Sequence, residues 1–310
     1  MKNILITGGT GFIGLNLIKE LSCTYKVPCS KIFVLTRKKK FFVKDNDYKL
    51  FSKINYIQGD IHNFNTKIKF NQIYHLAYDT LTKKEFLKYT SKTIIDGIIN
   101  IAKICENSNT KKLIFLSSGA VYENTKNKGF KEKDILGFNL FNSEEHYGIL
   151  KAASEQYLWS LFSKSKTQLS IYRIFAAIGP YMRLNGNFII GNIIDSILKE
   201  KRIFFKTDCK VERNIIYIND LIKQITNSST RKSFVIKNVV GKNVNLRSFL
   251  IQLAKRENLK INFAQKKNSY RVNYTPYIKK DYYNDDYLYK SFNKTVSWFK
   301  EIKYRKIEIK

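Results

Sequence analysis

The stretch Ile4-Leu5-Ile6-Thr7-Gly8-Gly9-Thr10-Gly11-Phe12-Ile13-Gly14 decides the reading of this chain. Three apolar residues form a strand-like run that ends in glycines. An amphipathic segment follows over 12–22, with Leu15, Ile18 and Leu21 at helical spacing. The turn satisfies GxxGxxG through Gly8, Gly11 and Gly14, and GxGxxG through Gly9, Gly11 and Gly14. Between a strand and a helix, such glycines point to a dinucleotide site. One permits positive φ, one lets the backbone approach a pyrophosphate, and one lets the helix pack on the sheet. The positive end of the helix dipole then faces the phosphates. Gly8, Gly11, Phe12, Ile13 and Gly14 are the expected cofactor turn.

Further along, β-rich apolar runs at 3–7, 31–36, 54–59, 72–76 and 112–117 alternate with helical patterns. One helical stretch covers 83–107, with Ile94, Ile98, Ile101 and Cys105 on one side. This order predicts right-handed βαβ connections and a parallel sheet with helices on both faces. Beyond residue 175 the segments shorten. Strand candidates there are 202–205, 214–218 and 234–237, with helices at 246–255 and 292–303. The expected fold is α/β: a Rossmann-type doubly wound parallel sheet over 1–175, and a smaller mixed α/β C-terminal substrate lobe over 176–310. Some of the lobe's segments are expected to cross back to the first domain.

Composition separates the possible partners. The chain holds 56 Lys and Arg against 25 Asp and Glu, a net charge of +31. That excess raises the question of nucleic acid or an anionic membrane. However, 46 of the cations are Lys and only 10 are Arg, alongside 29 Asn. Nucleic-acid readers lean on the bidentate Arg fork, so a solvated lysine-rich surface is the better reading and no nucleic-acid partner is expected. No run approaches the ~18–20 apolar residues of a membrane span. Three apolar residues after Met1-Lys2-Asn3 are too few for a signal-peptide core of ~7–15. Cys23, Cys29, Cys105 and Cys209 show no metal-like spacing, so no metal is expected and the thiols suit a reducing cytoplasm.

The second strand candidate ends Val34-Leu35-Thr36-Arg37-Lys38-Lys39. NAD sites place a carboxylate there for the ribose 2′-hydroxyl. Here Arg37 and Lys38 would attract a 2′-phosphate instead, which favours NADP(H) over NAD(H). In so lysine-rich a chain, the alternative is that these residues are simply more surface.

Tyr147 and Lys151 lie four apart, on one helix face. A phenol of pKa about 10 exchanges protons poorly at neutral pH, and a nearby ammonium is expected to lower it. The fifth strand candidate ends Phe115-Leu116-Ser117-Ser118, where α/β sheets bind ligands, so Ser118 is placed to orient a reacting oxygen.

The set Thr7 to Gly14, Gly59-Asp60, His75-Leu76-Ala77, Ser117-Ser118 with Val121-Tyr122, Tyr147 with Lys151, and Arg173 with Gly179-Pro180 resembles the extended short-chain dehydrogenase/reductase family, in its nucleotide-sugar epimerase, dehydratase and reductase branch. The resemblance implies a Ser118–Tyr147–Lys151 triad, with Tyr147 and Lys151 also touching the cofactor. It implies that Asp60 and Ile61 lie near the adenine and Leu76 and Ala77 near the cofactor. It further implies that Arg213, in Arg213-Asn214-Ile215-Ile216-Tyr217, binds the diphosphate of a nucleotide-diphosphate sugar, that Asn187 lies near the nucleotide, and that the chain forms a homodimer.

Departures narrow the chemistry. Dehydratases of this family carry an Asp-Glu pair after the catalytic Ser/Thr, where this chain has Gly119 and Ala120. No cysteine is close in sequence to Ser118 or Tyr147, as Cys–His epimerisation would need. Ala176 stands where many members have a substrate-contacting Asn. Simple hydride chemistry remains: a 4-ketoreductase acting on a 4-keto-6-deoxy sugar for surface-polysaccharide synthesis, or a nucleotide-sugar 4-epimerase. A reading of another class is a non-catalytic nucleotide sensor, though a sensor has no need of Tyr147 and Lys151 together.

Overall fold

The computed structural model describes residues 2–78, 91–122, 129–134, 136–184, 189–199, 202–227, 232–267, 273–279, 282–284, 286–301 and 303–309. Its strands are β1 (Ile4–Thr7), β2 (Ile32–Thr36), β3 (Lys40–Lys44), β4 (Asn55–Gln58), β5 (Gln72–His75), β6 (Lys112–Ser118), β7 (Gln168–Ile174), β8 (Ala176–Ile178), β9 (Ile203–Phe205), β10 (Glu212–Tyr217), β11 (Phe234–Asn238), β12 (Lys242–Asn245), β13 (Ile261–Phe263), β14 (Asn273–Tyr274) and β15 (Tyr304–Glu308).

Seven strands form one parallel sheet in the order β11-β7-β6-β5-β1-β2-β4. Alternation along β1 shows why both faces are covered. Ile4 and Ile6 enter a core with Leu17, Ile18 and Leu21 of helix Phe12–Cys23, and with Leu221, Ile222 and Ile225 of helix Ile218–Thr226. Leu5 enters another, with Ile98, Ile101 and Cys105 of helix Gly97–Ser108 and Leu158 and Phe162 of helix His146–Phe162. Side chains of period two thus serve two helix layers. The strand order reverses between β1 and β5, which opens a crevice at the carboxyl ends of those strands.

Segments beyond residue 175 do two things. Helix Ile218–Thr226 and strand β11 join the large sheet, while β8, β10, β12 and β14 make a four-stranded sheet beside it. The lobe has its own apolar core of Ile193, Ile194, Leu250, Leu253 and Phe292, carried by helices Ile189–Leu198, Leu246–Arg256 and Tyr287–Lys300.

Some elements were not expected. β7 carries Ser170, Tyr172 and Arg173 among its apolar residues, all buried. A strand covered on both faces shows no clean alternation, and its polar residues blur the run further. β3 pairs antiparallel with β15, with Ile307 opposite Phe41 and Arg305 opposite Val43. The helical stretch expected over 83–107 is seen from residue 91, as a π turn Lys92–Asp96 leading into Gly97–Ser108; residues 83–90 lie outside the described residues.

Candidate active site

The glycine turn closes against the end of β5. Gly8 takes φ +72°, and a Cβ there would meet Ala77 Cα and N at 2.9 Å, so only glycine suits both the twist and the approach. Thr7 Oγ1 accepts the Ala77 N–H at 3.2 Å and shares a hydrogen bond of 2.8 Å with His75 Nδ1. Burial pushes the His75 imidazole down to about 3, so the ring stays neutral. Gly11 caps helix Phe12–Cys23 without a side chain, leaving the helix N-terminus open beside Phe12, Ile13 and Gly14. Open backbone donors at the switch point fit a dinucleotide pyrophosphate.

The far end of the crevice carries charge. Lys38 Nζ donates to Thr10 O at 3.5 Å, and its pKa is lowered by burial and then by nearby Arg183. Arg37 approaches Asp60 at 3.8 Å, and Asp60 also meets His62 Nδ1 at 2.8 Å. Ile61 turns its side chain inward, within reach of Gly97, so it can offer a cofactor mainly its backbone. Leu76 donates its N–H to Thr7 O.

The structure brings Ser118, Tyr147 and Lys151 to one place. Ser118 ends β6 next to β5. Helix His146–Phe162 starts close by because Gly148 has no side chain: a Cβ there would lie 2.2 Å from Ala120 O. Tyr147 is thereby set against Ser118, whose hydroxyl bonds it. Lys151, one turn on, is 3% exposed and donates to Leu116 O at 2.9 Å.

One expectation is corrected. Tyr147 was expected to have a lowered pKa, but the phenol is pushed up, chiefly by burial and then by Tyr78 and Tyr274, with the Ser118 bond opposing. Lys151 Nζ is 6.0 Å from the Tyr147 ring centre and turned to Leu116 O. Desolvation dominates at that distance. It also brings Lys151 down to about 8, with Glu155 opposing.

A buried ion pair lies behind this group. Glu155, on the Lys151 face of the helix, meets Arg173 of β7, whose Nε donates to Oε1 at 3.0 Å. Arg173 Nη1 donates to Tyr122 Oη at 2.7 Å, and Tyr122 Oη donates to Asn238 Oδ1 at 2.8 Å.

Three residues were missed. Tyr78, directly after Ala77, puts its ring 4.7 Å from that of Tyr147. Its place beside the crevice segment could have flagged it. Tyr274 and Arg183 gave no local signal. Arg213 lies on β10 opposite Tyr274 of β14, its guanidinium 5.9 Å from that ring. Asn187 lies outside the described residues. His146 turns to Ser91 Oγ at 3.0 Å, away from the triad.

A parallel doubly wound sheet with a glycine turn at its switch point and a Ser–Tyr–Lys cluster beside it is the architecture of a Rossmann-type dinucleotide-binding fold. The family model described as the NAD dependent epimerase/dehydratase family matches residues 4–239, and the chain belongs to that family. Among curated relatives, dTDP-D-glucose 4,6-dehydratase of Dictyostelium discoideum is 29% identical over 72% of this chain and 54% of its own. The chain therefore spans about half the length of that relative. The dTDP-4-dehydro-6-deoxyglucose reductase of Escherichia coli is 26% identical over 72% of this chain and 71% of its own. A solved UDP-N-acetylglucosamine 4-epimerase from Methanobrevibacter ruminantium M1, in complex with UDP-N-acetylmuramic acid, superposes with a TM-score of 0.79 at 21% identity, covering 96% of this chain and 98% of that one. The UDP-glucose 4-epimerase of Thermotoga maritima gives 0.78 at 18% identity, covering 96% and 99%.

Proposed function

We propose that this chain is an NADP(H)-dependent oxidoreductase acting on a nucleotide-diphosphate sugar, as a 4-ketoreductase of a 4-keto-6-deoxy sugar in surface-polysaccharide synthesis. The observation that carries this is the pairing of Ser118 with Tyr147 beside Lys151, next to Gly119 and Ala120, which hold no carboxylate for elimination. Gly8, Gly11, Gly14 and the open helix end would hold the cofactor's pyrophosphate, and Lys38, Arg37 and Arg183 would offer positive charge to a 2′-phosphate. When bound, the nicotinamide supplies the hydride. Burial keeps the Tyr147 phenol protonated, which suits a proton donor, and Tyr147 Oη gives that proton to the sugar oxygen as it becomes an alkoxide. Ser118 orients the same oxygen. Lys151 carries the positive charge that stabilises the phenolate left behind. Arg213 takes the diphosphate with its planar cation.

A second reading, the 4-epimerase with retained NAD(H), has one observation in its favour. Arg37 already leans on Asp60, which weakens its claim to a 2′-phosphate. Purified protein separates the two. One NADPH consumed per molecule of dTDP-4-dehydro-6-deoxyglucose supports the reductase. Interconversion of UDP-glucose and UDP-galactose with no net nicotinamide change, and NADPH untouched by the keto sugar, sinks it.

Two lesser expectations fit this reading. All four cysteines are free thiols, as a cytoplasmic protein carries. Tyr157 and Leu161, four apart on helix His146–Phe162, leave apolar surface in solvent, and a homodimer would cover it. A monomeric mass by light scattering would remove the dimer.

A further inference from the structure

Ser118 sits in an arrangement that its own strand does not complete. Its Oγ accepts the Ala120 N–H at 3.1 Å, the cap of the short turn after β6. It also lies 3.2 Å from the hydroxyl of Tyr274, which comes from β14 in the C-terminal lobe. Tyr147 is its third neighbour. A serine hydroxyl has one proton to give and two lone pairs to receive. With Ala120 N–H in one lone pair and Tyr274 O–H in the other, the single proton is left for Tyr147, or for a substrate oxygen held between them. Without Tyr274 the hydroxyl can rotate and spend its proton elsewhere.

Tyr274 is well held for this. Its strand pairs with β10, where Arg213 is its partner, its ring meets that of Phe175 at a centroid distance of 5.0 Å, and the Arg213 guanidinium lies 5.9 Å from its ring centre. We propose that Tyr274 is a positioning residue: it donates to Ser118 Oγ and so fixes the direction in which Ser118 points its proton. The C-terminal lobe thereby supplies a part of the proton-handling group as well as the substrate cation. This rests on the reading of Ser118 and Tyr147 as the reacting pair.

The test is a double-substitution cycle of wild type, Tyr274→Phe, Ser118→Ala and the double variant. Turnover is followed with NADPH and dTDP-4-dehydro-6-deoxyglucose and, separately, with UDP-glucose. Tyr274→Phe should lower kcat about five- to tenfold, the scale of one neutral hydrogen bond, with KM within about twofold. In the Ser118→Ala background it should change kcat less than about twofold, because the hydroxyl it acts through is gone. Urea denaturation midpoints of the four proteins should be non-additive in the same sense. Equal effects in both backgrounds, or a rise in KM with kcat intact, overturn the proposal and make Tyr274 an independent substrate contact. Additive midpoints overturn it as well. Wild-type protein that turns over neither probe sinks the reading of the reaction, and the denaturation cycle still decides whether Tyr274 holds Ser118.

Discussion

The two sides of the site are built in different ways. On one side, Ser118 ends a seven-residue strand inside a parallel sheet, and Tyr147 and Lys151 ride a helix of 17 residues. Glu155 and Arg173 pin that helix to β7 from within. On the other side, Arg213 and Tyr274 reach the same spot from a small sheet in which β14 has two residues. Ser118, Tyr147 and Lys151 are thus mounted on the large sheet and a long helix, and Arg213 and Tyr274 on a small sheet with short strands. A fold arranged this way can exchange its substrate contacts at little cost to its stability.

Several substitutions would break or sharpen this contrast. The largest effect is expected for Tyr147→Phe, which should lower kcat by about 10³-fold or more while the thermal shift given by NADPH is kept. Full activity would remove the sheet side from the chemistry. Glu155→Ala leaves the Arg173 guanidinium buried and unpaired and should cost about 3–5 kcal/mol of stability by urea denaturation. A loss under about 1 kcal/mol would mean that the helix is held by other contacts. Arg213→Ala should raise KM for a nucleotide sugar by about 10–100-fold, the scale of bonds to a charged group, and leave the melting temperature nearly unchanged. A large melting shift would show that the small sheet is as over-determined as the large one.

The last expected effect is one of pH. His75 is neutral when folded down to about 3, whereas in the unfolded chain it takes a proton at about 6.5. Between these values the unfolded state binds more protons, so stability falls as pH drops from 6.5 towards 3. The slope is at most about 1.4 kcal/mol per pH unit. His75→Asn should flatten that limb, and an unchanged acid limb would contradict the buried neutral ring.

The same contrast explains what was legible in the sequence. The glycine turn, β1 and the Tyr147–Lys151 spacing are local patterns, and each is decided within about a dozen residues. The place of β11 was not local. Residues Phe234–Asn238 read as a strand, but nothing nearby says that it pairs with β7 in the large sheet. Arg173 helps to carry the resemblance and Glu155 gives no local signal, and only their pairing shows why both are buried. Tyr274 is one of 20 tyrosines and lies on a strand too short to have a pattern, so its meeting with Ser118 is visible only in three dimensions. The lowered tyrosine pKa was misjudged because spacing along a helix reveals proximity but not desolvation.

The pairing of β3 with β15 carries a consequence for how the molecule is made. Phe41 and Val43 are buried against Ile307 and Ile309, so their partners emerge from the ribosome long after they do. Until then β3 is an apolar strand with an open edge, the kind of segment through which nascent chains stick to one another. Lys39, Lys40 and Lys44 bracket it. Charged flanks of this kind act as gatekeepers against aggregation, which gives a few of the surplus lysines a role during synthesis rather than in the finished protein.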